Sequence, residues 1–309
     1  MTSSVAPTWG SDTVQLFVQR VFDGLQAGAV YAILALAIVI IFRASGMLNF
    51  AQGELAMFST FVAWSFFDQG LPWWAATILS LVIGFVIGSL MYRVLIVRLG
   101  GTLASPLAVV MVTIGLFLML NDGAGIIWGT DPAKVPRLFG EGRVELFGAG
   151  IAVQVLGLLA VLAVLVIAFG QIFQRTKLGL ALRAVTSNQQ SAALAGIKVT
   201  TTLMIGWGLS GAIGALAGTF TASANLGVDK NMMQIVLIYA FAAATLGGFD
   251  SPFGAVIGGL IIGLVSELVV GYVDIIGPDL RLLPGFVLVL AVLLVRPQGL
   301  FGTAKVGRA

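Results

Sequence analysis

The chain of 309 residues contains no cysteine and no histidine. It therefore lacks disulfides, thiolate nucleophiles and cysteine metal sites, and also the commonest general base and metal ligand. The sequence has no Gly-Lys dipeptide, so the phosphate-binding loop Gly-x-x-x-x-Gly-Lys-Ser/Thr is missing and ATP binding by that route is excluded. These absences disfavour an enzyme, and we expect no cofactor and no metal. Any energy source must come from outside the chain.

Charge is scarce as well. Charged residues make up 9% of the chain and hydrophobic residues 59%, with a mean hydropathy of +1.07, whereas a soluble domain has about 25% charged residues. This composition predicts an all-α, polytopic membrane protein in a lipid bilayer, with no nucleic-acid partner. At about 20 residues per crossing, we predict eight or nine membrane helices, with these candidate spans: 21–42, 47–66, 72–97, 103–121, 149–173, 202–222, 232–249, 253–273 and 282–296.

Residues 1–20 lack the features of a signal peptide and are expected to form a short retained tail. With the amino terminus outside, ten of the sixteen basic residues fall on the inner side and six on the outer side. Lysine and arginine accumulate on the cytoplasmic side, so this count favours an outer amino terminus and a cytoplasmic carboxyl terminus.

Residues 43–54 form a polar stretch between two apolar runs. On a helix drawn from Asn49 at about 100° per residue, one face is small or polar throughout: Asn49, Gln52, Gly53, Ala56, Ser59, Thr60 and Ala63. Inside a membrane such a face must contact protein or a water-filled cavity. Two interpretations stay open, namely close helix packing and a translocation path. The candidates for the path are Asn49, Gln52, Gly53, Ser59 and Thr60.

Two carboxylates lie within predicted spans. Glu54 points about 140° away from the polar face on the same wheel, and Glu267 lies deep in the eighth span. A carboxylate in such surroundings must be protonated, paired or hydrogen-bonded. We expect both to brace helices, with a gating role as the alternative.

The inner loop 174–201 has four cations and no acid. Ser187 or Asn188 can cap a helix near 188–195, and Gly196 is suited to end it in a left-handed conformation. One interpretation is an interfacial helix whose cations contact the cytoplasmic leaflet. The other is a docking helix, because alanine and glycine let another protein approach closely.

Three segments resemble the branched-chain amino acid ABC transporter permease family, and in particular its H-type subunits. They are Gly-Met-Leu-Asn-Phe-Ala-Gln-Gly-Glu at 46–54, Ala-Ala-Leu-Ala-Gly-Ile at 192–197, and the glycine-rich stretch 247–259. Many family members have histidine where this chain has Gln52, so no histidine proton can act here. The similarity spans roughly 21–300, which implies a permease domain over that range with a tail at 301–309.

The resemblance implies a permease subunit in a bacterial inner membrane. Its partners would be a second homologous permease, two ATP-binding cassette ATPase subunits and an extracytoplasmic solute-binding protein. The ATPase contact would be made in the coupling loop 174–201, at Arg183, Ser191, Ala192, Ala193, Gly196 and Ile197. Leucine, isoleucine and valine are the expected solutes, with other amino acids, urea or amides as alternatives. A proton- or ion-coupled secondary transporter using Glu54 and Glu267 is the other function class.

Overall fold

Long apolar runs with few interior breakers fold into helices, as expected for a chain whose backbone must satisfy its hydrogen bonds within each segment. The computed structural model describes residues 9–100, 105–146, 148–273, 275–276 and 280–302. Within them lie eleven α-helices: α1 Trp9–Ser45, α2 Gln52–Asp68, α3 Trp73–Leu90, α4 Pro106–Trp128, α5 Val153–Arg175, α6 Lys177–Ser187, α7 Gln189–Leu194, α8 Val199–Asn225, α9 Gln234–Gly247, α10 Pro252–Tyr272 and α11 Leu283–Val295.

Each of the nine predicted spans overlaps a helix. Six helices in the described part of the chain are long and apolar enough to cross a membrane: α1, α3, α4, α5, α8 and α10. Helices α2, α9 and α11, with 17, 14 and 13 residues, are shorter. Helix α3 continues through a π-helical segment, Met91–Ile96, and a short 3₁₀ turn, Val97–Leu99.

The structure differs from the sequence prediction in several places, of which three bear on the site. Helix α1 begins at Trp9, so residues 9–20, predicted as a tail, are helical. Helix α2 begins at Gln52 and not at 47, because residues 47–51 form a turn after the left-handed Gly46. The inner loop contains two helices, α6 and α7, where only one was predicted.

Two helices begin with the same local device. Ser105 precedes α4 and Ser251 precedes α10, and each is followed by proline in the first turn. The Ser251 hydroxyl accepts a hydrogen bond from the Gly254 N–H at 3.0 Å, and the Ser105 hydroxyl accepts one from the Ala108 N–H at 3.2 Å. Serine satisfies a free N–H at the helix start, while proline has no N–H to satisfy.

Helix α1 lies at the centre and contacts α5, α8, α9 and α10. Glycines bring backbones together at its crossing with α10, where Gly28 packs against the backbone of Gly259 and Leu260. A second close crossing joins α3 to α8 through Gly84 and Gly211. Small residues at such spacing permit close approach of membrane helices.

The described residues also contain four short strands. Strands β2 (Arg143–Leu146) and β3 (Ala149–Ala152) form an antiparallel hairpin, and β1 (Ala133–Lys134) pairs with β4 (Gly227–Val228). Strand β3 contacts α1. One cavity is lined by both the hairpin and Asp23. The two therefore lie on the same side of the bundle, which we call the Asp23 end. The opposite side, where the α6 residue Thr186 donates to the Arg43 carbonyl at 2.6 Å, is the Arg43 end.

Candidate functional site

The turn before α2 is joined to two other helices by a buried polar cluster. Asn49 accepts a hydrogen bond from the Ala51 N–H and donates to Gln52 Oε1, both at 3.1 Å. Gln52 Nε2 donates to the Ser210 carbonyl of α8 at 3.0 Å. The Ser210 hydroxyl in turn donates to the Ala37 carbonyl of α1 at 2.7 Å. These bonds connect α1, α2 and α8 without any ionised group.

The rest of the polar face of α2 is occupied by helix contacts. Ser59 and Thr60 donate to carbonyls one turn earlier on their own helix, each at 2.8 Å. Gly53 faces Leu237 of α9, and Gly218 of α8 lies against Thr60. Placing Asn49 on the helix was wrong, because it lies in the preceding turn. The predicted path candidates are buried against neighbouring helices in this conformation.

Glu54 points away from this face and bonds to another helix. Its Oε2 accepts a hydrogen bond from Asn121 Nδ2 of α4 at 3.1 Å, and the same amide donates to the Lys230 carbonyl at 2.9 Å. Glu54 is 1% exposed, and its second oxygen has no hydrogen-bond partner within the described part of the chain. The carboxylate thus joins α2, α4 and the segment before α9.

Glu267 forms an ion pair with Arg281, which lies between α10 and α11. The Tyr239 hydroxyl of α9 donates to the Arg281 carbonyl at 2.6 Å, and the Tyr239 ring stacks on Tyr31 of α1 with centroids 4.5 Å apart. These groups line a cavity of about 460 Å³ at the Asp23 end, together with side chains of α8 and Asp23 itself.

The sequence did not reveal this cavity. Glu267 was predicted to brace helices, but its partner was not predicted, because Arg281 lies in a connection between helices. One signal was available: the chain has only four tyrosines, and Tyr31 and Tyr239 lie inside apolar segments. A buried tyrosine hydroxyl usually has a hydrogen-bond partner, so each of the two indicated a polar neighbour.

At the Arg43 end, a polar side chain caps the start of each helix in the inner loop. Asn188 caps α7 by accepting a hydrogen bond from the Ser191 N–H at 2.9 Å, while Thr176 caps α6 through the Gly179 N–H at 3.1 Å. Gly196, with φ of 83°, turns the chain after α7. The predicted helix and its left-handed stop are confirmed, and Asn188 is the cap.

The two sides of α7 differ sharply in exposure. Ala192 is 4% exposed and Ile197 packs against the core. Ala192 was predicted to contact a partner, but its side chain faces the bundle, because the helix packs on α6 and α8. Outward lie Ser191, Ala193, Gly196 and, at 90% exposure, Leu194. Leu194 belongs to the same motif but was not predicted as a contact residue. Arg183 of α6 is also exposed.

Comparisons with known proteins give sequence matches over most of the chain. Residues 20–294 match the family described as the branched-chain amino acid transport system permease component. The chain is 28% identical to the high-affinity branched-chain amino acid transport system permease protein LivH of Escherichia coli (strain K12), across 96% of this chain and 99% of that protein. Identity to the corresponding BraD of Pseudomonas aeruginosa is 26%, across 94% and 97%.

More distant sequence similarity reaches a sugar import permease. The fructose import permease protein FruF of Bifidobacterium longum is 22% identical, across 86% of this chain and 74% of that protein. The solved structure of PsaBC from Streptococcus pneumoniae in complex with Fab aligns with a TM-score of 0.46 at 15% identity, covering 91% of this chain and 92% of that one.

Proposed function

The chain belongs to the branched-chain amino acid transport permease family and is a multi-pass membrane protein, and from this we propose that it is the permease subunit of an ATP-driven importer of leucine, isoleucine and valine. It would act in a bacterial inner membrane with a second homologous permease, two ATPase subunits and an extracytoplasmic solute-binding protein. The observation on which this proposal depends is the exposed face of α7 in a chain without a nucleotide-binding loop of its own.

Helix α7 has the features of a docking surface. Its inner side is fixed by Ala192, while Leu194 projects from the outer side at 90% exposure. The neighbouring outward residues Ser191, Ala193 and Gly196 have small side chains, so a partner's backbone can come close around the leucine. A single exposed leucine is common on a protein surface, but one on a capped, fixed helix with small neighbours suits a hydrophobic pocket in a partner.

The position of α7 supports transmission of movement into the bundle. Helix α6 leads directly into α7 and is attached to α1 where Thr186 donates to the Arg43 carbonyl. Helix α8 follows α7 after a short connection and contributes Ser210 to the polar cluster with Gln52. A displacement of α7 by an ATPase would therefore act on α1 and α8, the two helices joined by that cluster.

These assignments place the Arg43 end in the cytoplasm and the cavity at the Asp23 end outside, with the carboxyl terminus cytoplasmic. The candidates Asn49, Gln52, Gly53, Ser59 and Thr60 then belong to the packed wall of the bundle in this conformation. We assign Glu54 and Glu267 to helix contacts on the basis of their partners Asn121 and Arg281.

The test is to co-purify the chain with the products of the genes that neighbour its own and to ask whether an ATPase is retained. Burial of a leucine side chain contributes about 1.5–3 kcal/mol, so Leu194→Asp should weaken ATPase retention at least about tenfold. Leu194→Met keeps the apolar volume and should retain the ATPase. Val144→Asp, at an aliphatic position 42% exposed on β2 at the Asp23 end, is the matched control and should also retain it.

Uptake into proteoliposomes separates the function classes. An ABC importer needs ATP on the side of the ATPase and stops when Leu194→Asp removes that subunit. If the chain alone accumulates leucine in response to a proton or sodium gradient, or if Leu194→Asp leaves ATP-driven uptake unchanged, the proposal is wrong.

A further inference from the structure

The cavity at the Asp23 end contains a mixed set of charges next to apolar side chains. Its volume is about 460 Å³, which is within the range of about 300–1,000 Å³ for small-molecule sites. Two carboxylates, Asp23 and Glu267, and one guanidinium, Arg281, line it. Arg20 lies within electrostatic range of Asp23, so the charges of the described residues around the cavity are balanced. Such a site favours a ligand with no net charge.

Arg281 has binding capacity that its ion pair does not use. A guanidinium has five N–H donors in a fixed fork. The Arg281 side chain is 50% exposed, whereas that of Glu267 is 10% exposed. Tyr239 fixes the Arg281 backbone through its carbonyl, and Glu267 directs the guanidinium through the ion pair. A second carboxylate can therefore bind the exposed edge in the bidentate geometry typical of arginine.

The same cavity has an apolar wall. Ile235 and Val236 of α9 and Val30 of α1 line it beside the stacked rings of Tyr31 and Tyr239. These branched and aromatic side chains offer an aliphatic group a surface away from the charges. A ligand that fits has a carboxylate, a cation and an aliphatic side chain within one small molecule.

We propose that this cavity is a low-affinity binding site for zwitterionic aliphatic amino acids. Arg281, directed by Glu267, binds the α-carboxylate, the carboxylate of Asp23 receives the α-ammonium, and the side chain lies on Ile235 and Val236. The inference deepens the proposed function, on which its choice of solute depends. It adds a recognition site in the permease itself, at the end of the bundle opposite α7.

The first experiment uses the unaltered complex of permeases and ATPases in nanodiscs, without the solute-binding protein. Saturation-transfer NMR with leucine measures weak binding directly. We expect competition by isoleucine and valine. Leucinamide, which lacks the carboxylate, and 4-methylpentanoate, which lacks the ammonium, should each compete at least about tenfold more weakly, because each loses one charged contact. Equal competition by either analogue, competition by fructose, or no leucine binding at all would overturn the proposal.

The second experiment separates ligand recognition from a brace. Arg281→Gln should weaken leucine binding at least about tenfold, while Arg281→Lys, which keeps the charge but not the fork, should give an intermediate loss. Lys134→Gln removes an exposed cation from β1, outside the lining of the cavity, and should bind leucine as the unaltered complex does. ATPase retention and elution volume report assembly for every variant.

The exchange Glu267→Arg with Arg281→Glu restores an ion pair but moves the cation. If the pair serves only to hold α10, the exchanged complex binds leucine normally and the proposal is wrong. If Arg281 binds the ligand, the exchanged complex assembles normally but binds leucine as weakly as Arg281→Gln. ATP-driven uptake by the unaltered system tests the proposed function separately. If the system transports leucine but the analogues and variants do not change leucine binding as expected, this site is refuted and the proposed function stands.

Discussion

The crossing of α3 and α8 gives a measurable prediction about how glycine holds the bundle together. A Cβ added to Gly211 would overlap the Gly84 carbonyl oxygen and lie 2.9 Å from the Gly84 carbonyl carbon and 3.3 Å from Gly88 Cα. All three neighbours are backbone atoms, so no side chain can rotate away and the two helices must separate. Overpacking of this kind costs about 1–3 kcal/mol.

Gly115 of α4 provides the matched control, because a Cβ there meets no heavy atom within 4 Å in the described part of the chain. Both Gly211→Ala and Gly115→Ala gain up to about 1 kcal/mol of helix propensity, so the difference between the two variants isolates the packing cost. At about 2–4 °C per kcal/mol, Gly211→Ala should unfold between about 2 °C and about 12 °C below Gly115→Ala.

The assay is thermal unfolding of the purified permease in nanodiscs, followed by tryptophan fluorescence at one fixed scan rate, since irreversible unfolding makes the midpoint depend on that rate. Gly84→Ala should lower the midpoint similarly, because its Cβ would overlap the Gly211 carbonyl oxygen. The double variant should lose less than the sum of both, since separation of the helices relieves both overlaps. Equal midpoints for Gly211→Ala and Gly115→Ala would refute the close crossing.

Two further predictions concern buried polar bonds. Gln52→Leu removes the donor to the Ser210 carbonyl and should lower the free energy of unfolding by about 1–3 kcal/mol; an unchanged unfolding midpoint would show that this bond does not hold α2 to α8. Asn121→Leu leaves the Glu54 carboxylate without its amide donor and should cost a similar amount, about 1–3 kcal/mol. Glu54→Leu combined with Asn121→Leu should cost less than the two single changes added together, and strict additivity would contradict the pairing.

The helical elements could be predicted because their determinants are local. All nine apolar segments became helices, and Gly196 ends the α7 turn as expected. The start of α2 was misplaced because apolarity does not reveal where a turn ends. Gly46 adopts a positive φ of 72° and Asn49 binds the Ala51 N–H, so the polar residues that suggested an amphipathic helix partly belong to its preceding turn.

The side-chain partners of the candidate site were harder to predict, because they depend on contacts distant in sequence. Gln52 and Ser210 are 158 positions apart, and Glu54 and Asn121 are 67 apart. A helical wheel gives the direction of a side chain but not the helix that it meets. The same limitation hid the burial of Ala192, since its motif contains no information about which side of α7 packs on the bundle.

The sequence by itself determined that this protein is a helical membrane bundle without its own nucleotide loop, because composition and short-range periodicity decide the solvent and the secondary structure. The tertiary structure decided that Gln52 on the polar face of α2 meets Ser210, that Glu267 pairs with Arg281, and that Leu194 projects outward. The physical reason is the range of the interactions: caps and helix bonds join residues within about four positions, whereas the cavity at the Asp23 end exists only after several helices have packed around it.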